Sequence, residues 1–349
     1  MSPGFWWLTM EKEKLYLDSG YFNFKYMRNR DTFNFCWGGR GTGKTYGSMQ
    51  LLAQGEKPFI YLRRTQAQAD LVMNPQMTPF KVPLSDLGID HKTERAGKYI
   101  YAIKDTGESK RTIAYVMALS TFANIRGFDG SGIDELIFDE FVPERHAKKI
   151  RNEADAFFNC YETINRNREL SGGEPLKVYA FSNSDSAVCP IFTQLGLLSA
   201  VLDMSEKHEP YRRYTNEHIS LYNLCDSPIS KLKEETALYK ATKGSEFNRM
   251  AIDNEFLARN TGEIKSYNMK ALSPLVTVGE ICVYKINGTR KYYVSQYKSK
   301  TDVVLTSSDI DIQRFKAKYD YLWFAYLNYN LISENAVAEQ IFLNYMDKS

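Results

Sequence analysis

Residues 38–45 place the strongest constraint on what this chain can fold into. Their sequence, Gly-Gly-Arg-Gly-Thr-Gly-Lys-Thr, fits the pattern G-x-x-x-x-G-K-[ST] without a mismatch. The segment directly follows a predicted strand, Phe33–Trp37, and precedes a predicted helix, Tyr46–Ala53. Glycines let backbone N–H groups turn inward around phosphates, and a helix N-terminus adds a partial positive charge. The pattern therefore predicts a phosphate loop (residues 38–45) between a strand and a helix.

The residue types of the phosphate loop predict ATP and Mg²⁺ as its ligands. We expect Lys44 to reach the β- and γ-phosphates and the Thr45 hydroxyl to bind Mg²⁺. The backbone that surrounds the phosphates belongs to Gly38, Gly39, Arg40, Gly41, Thr42 and Gly43. The alternative is a glycine-rich turn that matches by accident, which we expect in about one chain in a hundred of this size. Nucleotide binding is therefore the favoured interpretation.

An acidic strand end follows further along the chain. Residues 133–140, Ile-Asp-Glu-Leu-Ile-Phe-Asp-Glu, form an apolar run that ends in two adjacent acids, the Walker B arrangement of hydrolytic P-loop proteins. We expect Asp139 to hold Mg²⁺ and Glu140 to polarise the attacking water. An acidic turn without catalytic function is the alternative, and the upstream phosphate loop favours catalysis.

Two further groups of polar residues are candidates for the same site. Ser182 and Asn183 end a predicted strand, where they either contact the γ-phosphate side of the site or cap a turn. Arg166 and Arg168 lie two positions apart and cannot share one helix face. One of them, or Arg126, is a candidate arginine finger for a neighbouring subunit, and solvated surface arginines are the alternative.

The pattern of apolar runs predicts an α/β fold in two domains joined by a linker. The chain has 349 residues, more than one core usually supports. Short β-type runs alternate with longer segments over the first two thirds, which favours a mostly parallel sheet. We predict an ATPase domain over 1–226, a helical linker over 227–262 and a small β-rich domain over 263–349.

Finer predictions concern the linker and the last domain. We expect a linker helix to start at Ser230 and a second helix over Glu246–Ala258. One β-rich run is predicted over Val276–Ile286, followed by a hairpin turn at Asn287-Gly288. The apolar segment Arg314–Met346 has no Gly or Pro and is predicted to be helical.

Composition excludes several classes of protein. No apolar run approaches the roughly 20 residues that cross a bilayer, so no membrane association is expected. The five cysteines are scattered and odd in number, which fits neither a disulfide framework nor a zinc site and suggests a reducing cytosol. The formal net charge is only +3, so a basic surface for nucleic acid has to be local.

The order of these motifs resembles one family. The phosphate loop is followed by Arg63-Arg64 at a strand end, then Arg126-Gly127, Asp139-Glu140, residues 165–169 (Asn-Arg-Asn-Arg-Glu) and Ser182-Asn183. This order is similar to that of the genome-packaging ATPases of phi29-like short-tailed bacteriophages, relatives of the large terminase motors. The resemblance covers nearly the whole chain and is most specific over residues 33–190.

The resemblance implies a P-loop ATPase of the ASCE type that assembles as a ring, a pentamer, at the portal of an empty capsid. It would drive double-stranded DNA inward in the host cytoplasm, where the ring docks transiently on the procapsid. The trans-acting arginine of the family falls on Arg166, and Arg126 occupies the position of another basic residue proposed to act between subunits. The resemblance also implies an RNase H-like C-terminal domain. Because Val276–Ile286 contains only Glu280 as an acid, we expect a degenerate nuclease that does not cut.

A basic segment in the last domain predicts contact with nucleic acid. Residues 281–301 hold five basic residues and no acid: Lys285, Arg290, Lys291, Lys298 and Lys300. Such a hairpin suits contact with phosphates that is independent of sequence. Its partner is double-stranded DNA, a packaging RNA or the portal protein, and a solvated edge hairpin guarded by lysines is the alternative.

Two other functions remain open from the sequence. The first is another P-loop ATPase that acts on nucleic acid, of the helicase or segregation type. The second is a module in which ATP locks an assembly with little turnover.

Overall fold

The computed structural model describes residues 15–125, 127–143, 150–183, 189–243 and 263–346. The described residues fall into two compact units. The first is drawn from within Met1–Ser186 and Met204–Glu255, and the second from within Ala187–Asp203 and Phe256–Ser349.

The first unit contains a nine-stranded sheet with the order β3-β4-β5-β2-β6-β7-β1-β9-β8. Its strands are β1 (Phe33–Trp37), β2 (Phe59–Arg63), β3 (His91–Gly97), β4 (Ile100–Asp105), β5 (Thr112–Ala118), β6 (Glu135–Asp139), β7 (Lys177–Ser182), β8 (Tyr211–Tyr214) and β9 (Ile219–Asn223). The predicted strand Phe33–Trp37 is confirmed as β1, and β4 and β5 form an antiparallel hairpin.

The centre of this sheet is parallel, which decides where the polar strand ends meet. Strands β5, β2, β6, β7, β1 and β9 pair side by side in the same direction. Trp37 is the register partner of Ser182, and Asp139 is the register partner of Phe181. The central strands are almost wholly buried, as their continuous apolar sequences predict. Parallel pairing therefore brings the carboxyl ends of β1, β6 and β7 to one edge.

Helices and short 3₁₀ turns connect the strands. The α-helices are Phe24–Met27, Lys44–Ala53, Gln66–Asp70, Lys81–Asp86, Glu153–Asn165, Pro190–Gln194, Leu198–Glu206, Pro228–Lys233, Ala237–Ala241, Asp309–Lys318, Tyr321–Leu327 and Ala336–Met346. The 3₁₀ turns are Leu71–Met73, Leu119–Ile125, Glu169–Ser171 and Met269–Ala271. The predicted helix after the phosphate loop is confirmed and starts at Lys44.

The linker prediction is partly wrong and partly outside the described residues. The first helix begins at Pro228, with Ser227 at its N-cap, and ends at Lys233. Proline favours the first turn of a helix because its missing N–H is not needed there, which explains the earlier start. The predicted second helix, Glu246–Ala258, lies outside the described residues.

The second unit contains a six-stranded sheet with the order β10-β15-β13-β12-β11-β14. Its strands are β10 (Glu263–Ile264), β11 (Leu272–Val278), β12 (Ile281–Ile286), β13 (Tyr292–Ser295), β14 (Val304–Leu305) and β15 (Leu331–Ser333). The hairpin of β12 and β13 around Asn287-Gly288 is confirmed, and Gly288 has a φ of +73°.

Two predictions for the second unit are wrong. The run Val276–Ile286 is two antiparallel strands, because Gly279, with a φ of +51°, turns the chain inside it. The segment Arg314–Met346 is not one helical region, because β15 interrupts it. All three residues of β15 are buried, and β15 pairs in parallel with β13, so tertiary pairing overrides the helical pattern.

Two broader expectations can be compared with the described residues. All five cysteines are buried and none forms a disulfide. Among the described residues, no helix is long and apolar enough to cross a membrane.

A buried ion pair fixes the helix Glu153–Asn165, termed the arginine helix because it ends next to Arg166. Arg64, directly after β2, donates from Nε to Oε1 of Glu153 at 2.5 Å and from Nη2 to Oε2 at 2.8 Å. The two residues are 1% and 2% exposed. Such a pair is costly to break from one side, because the remaining charge stays buried.

We expect Glu153→Gln to lower the free energy of unfolding of the first unit by about 3 kcal/mol, since Arg64 would lose its buried counter-charge. Urea titration followed by circular dichroism measures the change. Glu174→Gln is the matched control, because the Glu174 side chain is 90% exposed. Equal unfolding midpoints for the two variants would contradict this account.

Candidate functional site

The phosphate loop lies where the sequence predicts it, between β1 and the helix Lys44–Ala53. Gly41 and Gly43 have φ values of +66° and +91°, in the left-handed region that favours glycine. Gly38 is required for a different reason. A Cβ there would lie 2.5 Å from the Cβ of Leu224, the residue after β9. Two glycines thus shape the turn, and the third permits close packing.

The side chain of Lys44 is bound by earlier residues of the phosphate loop. Its Nζ donates to the carbonyl oxygens of Gly38 and Gly39, both at 2.9 Å, and to the Thr42 hydroxyl at 3.2 Å. The residue is only 7% exposed. The ammonium group is therefore placed at the centre of the loop, where bound phosphates would meet it.

Thr45 and Asp139 join the phosphate loop to the acidic strand end. The Thr45 hydroxyl donates to Oδ1 of Asp139 at 3.0 Å, across 94 positions of sequence. Asp139 is the last residue of β6 and is buried. Hydroxyl and carboxylate oxygens are the hard ligands that Mg²⁺ prefers, so this pair of side chains fits that ion.

Arg63 and Tyr61, from the end of β2, donate hydrogen bonds to the acidic pair, and Arg63 adds one positive charge. Oδ2 of Asp139 accepts from the Tyr61 hydroxyl at 2.6 Å and from Nη1 of Arg63 at 2.8 Å. Nη2 of Arg63 also donates to Oε2 of Glu140 at 2.5 Å. One guanidinium therefore bridges the two carboxylates, with one nitrogen donating to each, and such charge-assisted hydrogen bonds are strong.

The pKa values of these groups follow from their burial and their partners. Burial and the neighbouring Asp139 raise the pKa of Tyr61 well above its usual value, so its hydroxyl stays protonated. Burial alone would lower the pKa of Arg63, but Tyr61, Asp139 and Glu140 outweigh burial and raise it. Arg63 therefore remains a cation at any ordinary pH.

Glu140 adopts a left-handed backbone conformation with a φ of +56° immediately after β6. Its side chain is 39% exposed, and its Oε2 also accepts from Nε2 of Gln68 at 3.2 Å. A non-glycine residue in this region is strained, and such strain is often found at functional sites. The turn aims the second carboxylate into the same cavity as the first.

Strand β7 adds the polar ends Ser182 and Asn183. Because β7 lies between β1 and β6, these residues lie beside both the loop and the acids. Within the described residues, the buried hydroxyl oxygen of Ser182 has no hydrogen-bond partner. Together these side chains line an open cavity of about 210 Å³, formed by Gly41, Thr42, Gly43, Lys44, Thr45, Tyr46, Asp139, Glu140, Ser182 and Asn183.

Of the arginine candidates, the described Arg166 and Arg168 do not line this cavity. Arg166 follows the arginine helix with a φ of +49°, is exposed, and donates to the Phe128 carbonyl at 3.2 Å. Arg168 is held within its own chain, because it pairs with Asp134 at 3.5 Å and donates to the Gly130 carbonyl. Arg126 lies outside the described residues.

The five basic residues of the segment 281–301 lie in the second unit, on and after the hairpin of β12 and β13. Four of them are exposed (Lys285, Arg290, Lys298 and Lys300), and Lys291 is half-buried. Among the tyrosines of this segment, Tyr284 and Tyr293 are buried, whereas Tyr297 is exposed. The hairpin therefore presents its charges to solvent.

Three residues that contact the acidic pair, Tyr61, Arg63 and Gln68, have no role in the sequence patterns described above. A signal existed for Arg63, since it ends a predicted strand and the carboxyl ends of parallel strands share one edge. What the sequence lacked was the pairing of β2 with β6, which places Arg63 beside Asp139.

Comparisons with known proteins bear on the family and the fold. The sequence profile of the Podovirus DNA encapsidation protein (Gp16) family matches residues 17–313. No curated protein sequence matches the chain. The structure is similar to "The Phi-28 gp11 DNA packaging Motor", with a TM-score of 0.60, 18% identity, and coverage of 95% of this chain and 99% of that chain. It is also similar to "The bacteriophage Phi-29 viral genome packaging motor assembly", with a TM-score of 0.60, 17% identity, and coverage of 95% and 100%. These likenesses show the fold, a mixed α/β chain with a large and mostly parallel sheet.

We expect Arg63→Met to strengthen the binding of Mn²⁺, used as a probe of the Asp139 site, roughly ten-fold. Removing the guanidinium leaves two carboxylates without their shared cation, so a divalent ion is attracted more strongly. Electron paramagnetic resonance titration of free Mn²⁺ measures the affinity. The exposed Arg151, changed to Met, controls for the loss of one positive charge. An Mn²⁺ affinity in Arg63→Met equal to that of this control would contradict the assignment.

Proposed function

Because the chain belongs to the Podovirus DNA encapsidation protein family, we propose that it is the ATP-hydrolysing ring motor of viral DNA packaging. The ring, a pentamer, would move double-stranded DNA through the portal into a preformed capsid. It would act in the host cytoplasm while docked on the procapsid. The observation that supports this function best is the 3.0 Å hydrogen bond between Thr45 and Asp139, which unites a phosphate loop with a hydrolytic acid pair.

ATP is the proposed ligand of the cavity. Lys44 and the N–H groups of the loop would bind its phosphates, and the start of the helix Lys44–Ala53 adds a partial positive charge. Thr45 and Asp139 would hold Mg²⁺, which when bound neutralises developing negative charge on the phosphates. The order in which β7 separates β1 from β6 supports the ASCE class.

Glu140 is the proposed general base. Its carboxylate would accept the proton of the water that attacks the γ-phosphate, and Ser182 and Asn183 would help to position that water. Oε2 of Glu140 is occupied by the ion pair with Arg63 at 2.5 Å. Proton transfer to Glu140 therefore requires this contact to lengthen.

Arg166 is the proposed arginine finger that one subunit inserts into the site of the next. Its exposure supports this role over Arg168, which is held by Asp134 and by Gly130. Arg126 is the second candidate, from its position in the sequence shortly upstream of Asp139 and from the resemblance. A guanidinium that approaches the γ-phosphate from a neighbour stabilises the negative charge of the transition state.

The second unit is the proposed nucleic-acid-binding part, of degenerate RNase H-like ancestry. Its exposed lysines and arginine would contact phosphates of double-stranded DNA, or of a packaging RNA at the portal. Glu280 lies in the turn between β11 and β12, where Oε2 accepts from the Ser199 hydroxyl at 2.6 Å. One acid in this position does not make a two-metal nuclease site, so we propose binding without cleavage.

Two other functions would use the same fold. A helicase or segregation ATPase would share the hydrolytic cavity, and a module locked by ATP would bind nucleotide with little turnover. The presence of Glu140 at the cavity favours turnover over locking, because a general base serves hydrolysis and not binding.

We expect Glu140→Gln to bind ATP with nearly unchanged affinity and to lose at least a hundred-fold in turnover, because the amide cannot take the proton from water. Fluorescent-nucleotide titration and phosphate-release assays measure the two properties. The control is Glu162→Gln on the exposed side of the arginine helix. Unchanged hydrolysis in the Glu140 variant would refute its role as the base.

The action of Arg166 between subunits has its own test. Lys44→Ala and Arg166→Ala should each abolish turnover, whereas rings mixed from both should recover it at about one quarter of their interfaces. Only those interfaces combine an intact Lys44 with an intact neighbouring Arg166. Mixing Lys44→Ala with a Lys44→Ala/Arg166→Ala double variant is the control, since no complete site can form. A mixed ring as inactive as this control would contradict action in trans.

A further inference from the structure

A helix distant in sequence contributes a second lysine to the phosphate loop. This helix, Pro228–Lys233, is termed the lysine helix. Its start is packed within the first unit. Ser230 is buried there, and a Cβ added at Gly20 would lie only 3.0 Å from the Cβ of Pro228. Its last residue, Lys233, reaches the phosphate loop at Arg40 and Gly41. The loop is therefore contacted by a segment that lies about 190 positions later in the chain.

The ammonium of Lys233 is bound to the loop itself. Its Nζ donates to the carbonyl oxygen of Arg40. A Cβ at Gly41 would lie only 2.5 Å from this Nζ, so the lysine fills the space that a side chain would need there. Lys44 is held in the same manner by the preceding carbonyls, those of Gly38 and Gly39. Three successive carbonyls of the loop thus accept from lysine ammonium groups.

Among the described residues, no carboxylate lies within ion-pair distance of Lys233. Partial burial lowers the pKa of its ammonium, because a charged group loses contact with water there. A partly buried cation that contacts a neutral carbonyl group favours the binding of an anion, because the negative charge replaces the stabilisation that water no longer provides.

We propose that Lys233 is a second phosphate-binding residue of this site and contacts the phosphates of a nucleoside di- or triphosphate from the lysine helix. This inference rests on the proposed nucleotide binding. Gly41 presents its backbone to the phosphates, so a flexible ammonium beside Gly41 is within reach of the same oxygens. Phosphate binding would then fix the end of the lysine helix, so the position of this helix would respond to the nucleotide that is bound.

The test compares variants of the full-length chain by titration with a fluorescent ATP analogue and Mg²⁺ at fixed salt. Lys233→Met keeps the length of the side chain without its charge, and Lys233→Arg keeps the charge. Lys231→Met is the matched control, because Lys231 is exposed on the same helix. We expect roughly ten-fold weaker binding in Lys233→Met, near wild-type binding in Lys233→Arg, and no change in Lys231→Met. The melting temperature without nucleotide should be equal in all four proteins.

Three results would overturn the inference. They are unchanged binding in Lys233→Met, an equal loss in Lys231→Met, and a loss in Lys233→Arg as large as in Lys233→Met. Failure of the proposed function is distinguishable, because wild type itself would then bind no nucleotide. Binding by wild type that is lost in Lys44→Ala but retained in Lys233→Met refutes the role of Lys233 alone.

Discussion

The hydrogen bond between the Thr45 hydroxyl and the Asp139 carboxylate is the contact on which the rest of the site depends. It exists only because β1, β7 and β6 run parallel in one register, which brings their carboxyl ends to a single edge. A slip of one residue in either pairing would turn Asp139 to the opposite face of the sheet. The buried aromatic and aliphatic residues of these strands fix that register, so the core and the chemistry are determined together.

Charge compensation around this contact is the second theme of the structure. Two adjacent carboxylates, Asp139 and Glu140, are held by one guanidinium, that of Arg63. The next residue, Arg64, forms a buried pair with Glu153 at the start of the arginine helix. Consecutive arginines therefore connect β2 with the acidic site on one side and with the helix that ends beside Arg166 on the other. In a ring motor, the acidic site of one subunit and the arginine finger that it provides to the next subunit would then both be connected to the end of β2.

The parts of the site formed by residues close together in sequence could be predicted, whereas contacts between residues distant in sequence could not. The phosphate loop and the Asp139-Glu140 pair are local patterns, and the structure places them in one cavity as expected. Arg63 and Lys233 were not assigned to the site, because their contacts arise from strand pairing and from a helix that returns to the loop.

The errors in the second unit have a similar cause. Short apolar runs such as Leu331–Ser333 suit a strand or a helix equally, and only pairing with β13 decides between them. The formal net charge of +3 predicted neither the acidic site nor the basic hairpin, because charges of opposite sign cancel in the total.

The most direct test of the central claim is the ATPase activity of the purified chain with double-stranded DNA, with empty capsids, with both and with neither. A packaging motor holds DNA at the portal while it hydrolyses ATP, so turnover should rise strongly only when both partners are present. Low basal activity and weak stimulation by either partner alone are the other expected results. Turnover that is independent of capsids, or that responds to single-stranded DNA instead, would contradict the account and indicate a different P-loop ATPase.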